Sequence, residues 1–326
     1  MEYSVVIRTL GSGGLKYRAL LESIKRQTIK PKEVIVVLPE GSQLPEERLG
    51  YETFYFSRKG MLQQRLYGFE KTKTEYMLVC DDDVSFPDDF VERLCLQLQK
   101  QNADAIQPNN HDAFTDTSLT DRLKNVPYAL MGHRFLSRKE SVYARRISVT
   151  GGYIKNTNLK AGKEYLSQSG NFQCFLINTK VACSIMFEDE LWLEQVKYAI
   201  PDDQVFFYKL FINGYTIAYS TQITYNHLDG RTSINLNRDR IVTYAMARNY
   251  IIFWHRFLYT QTDRFAVRGK LTMGIFYRCI NSIIISLCFG IIKGRFYKVK
   301  MTTKGIIDAF KFVNSQEYKQ IRNPKI

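Results

Sequence analysis

No two of the six cysteines fall in a CxxC pair, so the thiolate spacing of a structural zinc site is absent. Cys80, Cys95, Cys174, Cys183, Cys279 and Cys288 mostly lie in apolar surroundings, the usual setting of a reduced core thiol, and they fit a reducing compartment. A basic leader with a cleavage site is also missing. The chain runs straight into Tyr3-Ser4-Val5-Val6-Ile7, and no signal peptide is expected. No internal repeat and no low-complexity tract occur, which excludes a solenoid or a disordered array.

What is present suits a globular protein. The 326 residues allow one large domain or two smaller ones with a substantial core, and 45% hydrophobic and 24% charged residues are ordinary. The net charge of +14 is unevenly placed. Residues 231–326 hold 18 Lys and Arg against 4 Asp and Glu, whereas residues 1–230 hold 28 of each sign. A neutral soluble domain, 1–230, is therefore expected ahead of a basic region, 231–326.

Along the first part, apolar runs and helical stripes alternate. Ser4 to Ile7, Glu33 to Leu38, Thr53 to Phe56, Tyr76 to Cys80 and Asp104 to Gln107 read as strands. Tyr17, Leu20, Leu21 and Ile24 mark one helical face, Met61, Leu62, Leu66 and Phe69 a second, Phe90, Leu94 and Leu98 a third. Residues 1–107 thus predict an open, mostly parallel α/β sheet with helices on both faces. Residues 108–168 predict loops and short helices. Phe172 to Ile177 returns to strand, Pro201 opens a helix that Gly214 closes, and Thr216 to Tyr219 and Ile223 to Tyr225 read as two short strands.

The stretch Tyr76-Met77-Leu78-Val79-Cys80-Asp81-Asp82-Asp83 joins a buried strand to three carboxylates. Pro87 then fits the first turn of a helix favoured by Asp88 and Asp89. Strand carboxyl ends are where ligands bind in open α/β sheets, and adjacent carboxylates suit Mg²⁺ or Mn²⁺ shared with substrate phosphates. A solvated acidic turn explains the triplet equally well. The glycine-rich Leu10-Gly11-Ser12-Gly13-Gly14 turn lacks the full dinucleotide spacing.

Taken in order, several segments resemble glycosyltransferase family 2, whose members carry a GT-A fold. They are Ser4-Val5-Val6-Ile7-Arg8-Thr9, Leu21 to Gln27, Glu33 to Val37, Gln64 to Glu70, Glu75 to Asp83, Gly170 to Phe175, Phe187 to Glu190 and Asp202-Asp203-Gln204. The resemblance spans about residues 3–255. It implies a GT-A, Rossmann-like sheet with a nucleotide-binding half, 1–107, and an acceptor-side half, 108–230. It implies an inverting, metal-dependent transfer from a nucleotide sugar, most simply a UDP-sugar, to a hydroxyl of a glycan or lipid-linked acceptor in cell-surface polysaccharide synthesis. Asp81-Asp82-Asp83 stands as the family's DXD motif, with Asp83 on Mn²⁺ or Mg²⁺ and Asp81 on the ribose or a metal-bound water. Thr9, Glu40, Arg65, Asp81 and Asp82 form the expected donor-binding set. His227 is a second metal ligand or a simple hydrogen-bonded histidine. Asp203 is the general base, or with Asp202 a carboxylate pair complementing a helix dipole. Arg65 contacts phosphate or is a surface charge. The chain departs from the pattern at Pro39-Glu40-Gly41-Ser42, where the family has Asp-Asp-Gly-Ser, and at Ile7-Arg8-Thr9, where Pro-Thr is commoner.

Two other classes compete: a sugar nucleotidyltransferase, and a non-catalytic protein that binds anionic membranes. Nucleic acid is not expected as a partner, because the aromatics of the basic region sit in apolar runs and not between cations. Arg238 to Tyr259 reads as a long helix. Leu271 to Ile292 is long enough to span a bilayer, yet Arg278 interrupts it and both flanks are basic. An in-plane amphipathic segment is the expectation, making the protein cytoplasmic and peripheral on the inner face of the membrane; a buried helix pair is the other reading.

Overall fold

The computed structural model describes residues 1–110, 142–156, 159–228 and 236–326. Its centre is a large sheet of strand order β3-β2-β1-β4-β10-β6-β11-β9-β7-β8. β1 (Tyr3–Arg8), β2 (Glu33–Pro39), β3 (Glu52–Ser57) and β4 (Tyr76–Asp81) lie parallel. β10 (Cys174–Asn178) enters antiparallel between β4 and β6 (Ala105–Asn110), and β11 (Ile217–His227) runs parallel to β6.

The continuous apolar runs of the central strands follow from burial on both faces. Val6, Ile35, Val37, Met77 and Val79 point into one core; Val5, Ile7, Val34, Val36, Leu78 and Cys80 point into the other. α1 (Leu15–Arg26) and α3 (Phe90–Lys100) cover the second face through Tyr17, Leu20, Leu21, Ile24 and Phe90, Leu94, Leu98. α2 (Met61–Lys71) covers the first so closely that a Cβ on Gly68 would come 2.6 Å from Val6 Cγ1.

Beyond β10 come α4 (Thr179–Ser184), a 3-10 helix over Phe187–Gln195 and α5 (Asp202–Ile212). α5 closes as the sequence indicates. Gly214, at φ 86°, donates to Phe211 O at 3.1 Å and Tyr215 donates to Leu210 O at 3.2 Å, a Schellman closure. α6 (Leu236–Trp254) continues as a π turn over His255–Tyr259, then α7 (Phe265–Lys293), α8 (Tyr297–Val313) and α9 (Gln316–Gln320) complete the helical region. Phe253, Phe257, Leu271, Ile275 and Phe312 share one core with the sheet's first face.

Three expectations are corrected. Within 108–168, the described residues form strands β7 (Tyr143–Ile147), β8 (Tyr153–Lys155) and β9 (Tyr165–Ser167), not short helices; residues 111–141 and 157–158 lie outside the described part. The two short strands after Gly214 are one, β11, with a register irregularity between Tyr219 and Thr224. The helix after the acidic triplet begins at Phe90, so Pro87 lies in the turn ahead of it; β5 (Val84–Ser85) intervenes.

Candidate active site

The carboxyl ends of β1, β4 and β11 and the first turn of α5 meet at one edge of the sheet. Arg8 and Asp81 are register partners on parallel β1 and β4, and Arg8 Nη2 lies 3.1 Å from Asp81 Oδ1. Arg65, from the middle of α2, reaches the same oxygen with Nη2 at 3.2 Å and Asp202 Oδ2 with Nη1 at 2.5 Å. Its guanidinium also lies over the Phe172 ring, 3.9 Å from the centroid, and its side chain is 3% exposed. A planar fork with five donors is suited to joining two carboxylates in this way. Burial opposes the ionisation of Asp81, but Arg8 and Arg65 outweigh it and hold its carboxyl below the usual range.

Asp82 Oδ2 accepts from Thr9 Oγ1 at 2.6 Å. Gln64 fixes the Thr9 backbone by donating to its carbonyl and to that of Val37, each at 2.9 Å. β5 pairs antiparallel with the end of β11, and this hairpin-like contact sets Asp83 beside His227. Asp83 Oδ2 is 3.2 Å from His227 Nε2, and Leu228 N donates to Asp83 O at 2.7 Å. His227 Nδ1 meets Gln173 Nε2 at 3.3 Å, while Gln173 Oε1 accepts from Tyr225 OH at 2.6 Å. The imidazole is thereby oriented with Nε2 toward the carboxylate.

Asp203 is half-buried and makes no ion pair among the described residues, whereas Asp202 is committed to Arg65. Burial first, and the Asp202 charge second, push the Asp203 carboxyl up to about 7, against the pull of the Gln204 N–H, Arg145 and Arg65. Glu40 stands apart. It is exposed beyond β2, its N–H bonds Ser57 O at 2.9 Å, and it lines a cavity of about 530 Å³ with Ser57, Arg58 and Tyr67. An adjoining cleft of about 950 Å³ begins at Arg8 and is bordered by Arg58, Lys59, Lys197, Tyr198 and Arg238. Its single acid among the described residues, Glu194, accepts from Leu62 N at 2.6 Å and Gln63 N at 3.3 Å at the start of α2.

The structure therefore joins Thr9 to Asp82, Arg65 to Asp81 and Asp202, and Asp83 to His227. Arg8, Gln173 and Arg145 are additions that sequence reasoning missed. Only the parallel register of β1 and β4 brings Arg8 to Asp81, and that register is not written in either strand alone. No three His, Cys, Asp or Glu side chains converge as a metal cage among the described residues. A two-donor site of one carboxylate and one oriented imidazole fits a Mn²⁺ or Mg²⁺ ion that takes further ligands from substrate phosphate.

Residues 4–154 match the model of the family described as glycosyl transferase family 2. Among solved structures, the chain is similar to the crystal structure of S. aureus TarS, with 12% identity, a TM-score of 0.45, and coverage of 86% of this chain and 54% of that one. It is also similar to the crystal structure of GalNAc-T7 with UDP, GalNAc and Mn²⁺, at 13% identity, a TM-score of 0.49, and coverage of 86% and 55%. The chain spans about half the length of each of these two. No curated protein matches it.

Proposed function

We propose that the protein is an inverting glycosyltransferase that moves a sugar from a nucleotide-sugar donor, most simply a UDP-sugar, to a hydroxyl of a glycan or lipid-linked acceptor in cell-surface polysaccharide synthesis. The observation that carries this reading is the placing of Asp203, with its carboxyl raised to about 7, one residue from the Asp202 that Arg65 ties to Asp81 on the acidic β4 end. A base with a pKa near neutrality is matched to taking the proton of a hydroxyl.

The parts divide the work. The cationic cleft, with Arg8, Arg58 and Lys59, receives the donor's nucleotide diphosphate. Thr9 and Asp82 shape the donor end, and Glu40 borders the neighbouring cavity where the base is read. Asp83 and His227 hold Mn²⁺ or Mg²⁺; such an ion, when bound, neutralises charge on the departing diphosphate. Asp203 accepts the acceptor's hydroxyl proton as the new bond to the anomeric carbon forms and the bond to the diphosphate breaks. Attack from the opposite face inverts the configuration. Arg65 is a positioning residue here: it neutralises Asp202 and holds Asp81, so one of the two adjacent α5 carboxylates is left for proton transfer.

The basic charge of the helical region supports a peripheral location at the inner face of the cytoplasmic membrane, and all six cysteines are free thiols, Cys80 and Cys174 with sulfurs 3.6 Å apart. A donor screen with Mn²⁺ and acceptor, reading nucleoside diphosphate release, tests the reaction. Acceptor-stimulated release supports it, and pyrophosphate release in its place points to nucleotidyl transfer.

A further inference from the structure

α7 is packed on one side from Leu271 to Gly290. Leu271 and Ile275 enter the main core. Gly274 lies against the acceptor-side loop, where a Cβ would come 2.7 Å from Val149 O. Arg278 donates to Thr150 O at 3.3 Å and covers the Tyr250 ring at 4.1 Å, and Ser286 Oγ is 2.8 Å from Thr302 Oγ1 of α8. By length and composition α7 is long and apolar enough to cross a membrane. These contacts instead hold it flat against the rest of the molecule.

The other side is a single stripe. Met273, Phe276, Ile280, Ile284, Leu287 and Ile291 are exposed at spacings of three and four, Phe276 by 62% and Ile291 by 69%. Phe265 at one end and Ile292 and Phe296 at the other extend it. Residues 264–307 contain no Asp or Glu and nine Lys or Arg. Lys270, Lys293, Lys300 and Lys304 are exposed at the ends of the stripe and on α8. A second copy of this face would set cations against cations. An anionic lipid surface satisfies both the apolar stripe and its charged ends.

We infer that the exposed stripe of α7 is the face by which this protein lies on an anionic bilayer, and that its acceptor is a saccharide held in that bilayer by a lipid. The second half rests on the transfer reaction proposed above. The link is short. Gly151, in the loop that α7 touches through Val149 and Thr150, accepts from Gln204 Nε2 at 2.8 Å, and Gln204 follows Asp203. One loop separates the docking helix from the proposed base, so the helix fixes the height of Asp203 above the headgroups.

The test uses the full chain and vesicles of phosphatidylcholine with or without phosphatidylglycerol. The wild type is expected to sediment with the anionic vesicles, to be released by salt, and to leave native membranes in alkaline carbonate. The combined Phe276→Gln, Ile280→Gln, Ile284→Gln variant is expected to bind at least about 10-fold more weakly. Its donor-dependent nucleoside diphosphate release without vesicles should be unchanged, and transfer to a lipid-linked acceptor in vesicles should fall in parallel with binding. Equal binding by variant and wild type overturns the inference. So does equal binding to pure phosphatidylcholine, retention in carbonate, or a wild-type dimer in solution that the variant lacks. If Asp203→Asn leaves release intact while the stripe variant still loses the vesicles, the transfer reading fails and the docking face stands.

Discussion

Arg256 and Glu190 form a two-pronged ion pair, Nε to Oε2 and Nη2 to Oε1 both at 2.8 Å, with Glu190 wholly out of solvent. Lys209 Nζ adds a contact at 3.0 Å and the Trp192 indole donates at 2.7 Å. Burial opposes the Glu190 charge, but Arg256, then Lys209 and Trp192, outweigh it and hold the carboxyl below its usual range. The π turn after α6 is thus fastened to the acidic 3-10 helix ahead of α5. Glu190→Ala strands the buried Arg256, leaves Lys209 only Asp189 at 3.7 Å as a carboxylate partner, and is expected to cost about 3–5 kcal/mol. Urea unfolding measures this, and a change under about 1 kcal/mol contradicts it.

Asp203, as the proposed base, is expected to set the acid limb of the rate profile. With its carboxyl raised to about 7, kcat should rise with pH through that value as the base ionises. Asp203→Asn should lower kcat by about 10²-fold or more with little change in donor affinity. Asp202→Asn removes a like charge and frees Arg65, and both effects favour ionised Asp203, so the limb should move to lower pH. A limb that stays in place in Asp202→Asn argues that another group titrates.

Metal use is expected to depend on Asp83 and His227, and in graded fashion on Gln173. Asp83→Ala should remove Mn²⁺-dependent activity while the thermal transition is kept, because the residue sits beyond the strand and outside the core. Gln173→Ala, which removes the amide 3.3 Å from His227 Nδ1, should weaken Mn²⁺ binding by about 10- to 100-fold. Isothermal titration with Mn²⁺ and the nucleoside diphosphate reads both. Undiminished activity in excess chelator would remove the metal from the scheme.

Gly68 tests how α2 lies on the sheet. An added Cβ would meet Val6 Cγ1 at 2.6 Å and Val37 Cγ2 at 3.3 Å. Gly68→Ala should therefore destabilise the fold by about 1–3 kcal/mol despite the better helix propensity of alanine. A rise in melting temperature would show that α2 shifts freely.

Residues 1–107 were legible because the central strands β1, β2 and β4 are buried on both faces and each helix presents one stripe. Both patterns are local. The later part was less so for equally physical reasons. β7, Tyr-Ala-Arg-Arg-Ile, is short and polar, and its pairing with β9 joins residues far apart in the chain. β11 carries Ser220-Thr221-Gln222 in its middle, which reads as a break although the strand continues through it. At the site, the carboxylates and His227 were found as types of residue in order. Their partners were not: Arg65 reads from its helix as phosphate-binding or surface, and only the fold turns it inward to Asp81 and Asp202.

The carboxylate of Glu194 at the start of α2 has a consequence for selectivity. The opening turn of a helix facing a nucleotide cleft is ordinarily a place where an incoming oxyanion settles on free backbone N–H groups. Here Leu62 and Gln63 already donate to an internal anion, and Glu194 fills the space where a Gly60 side chain would stand. The cleft therefore offers its attraction through Arg and Lys side chains and, among the described residues, keeps one negative charge in its wall. A ligand with surplus phosphate is expected to meet repulsion there.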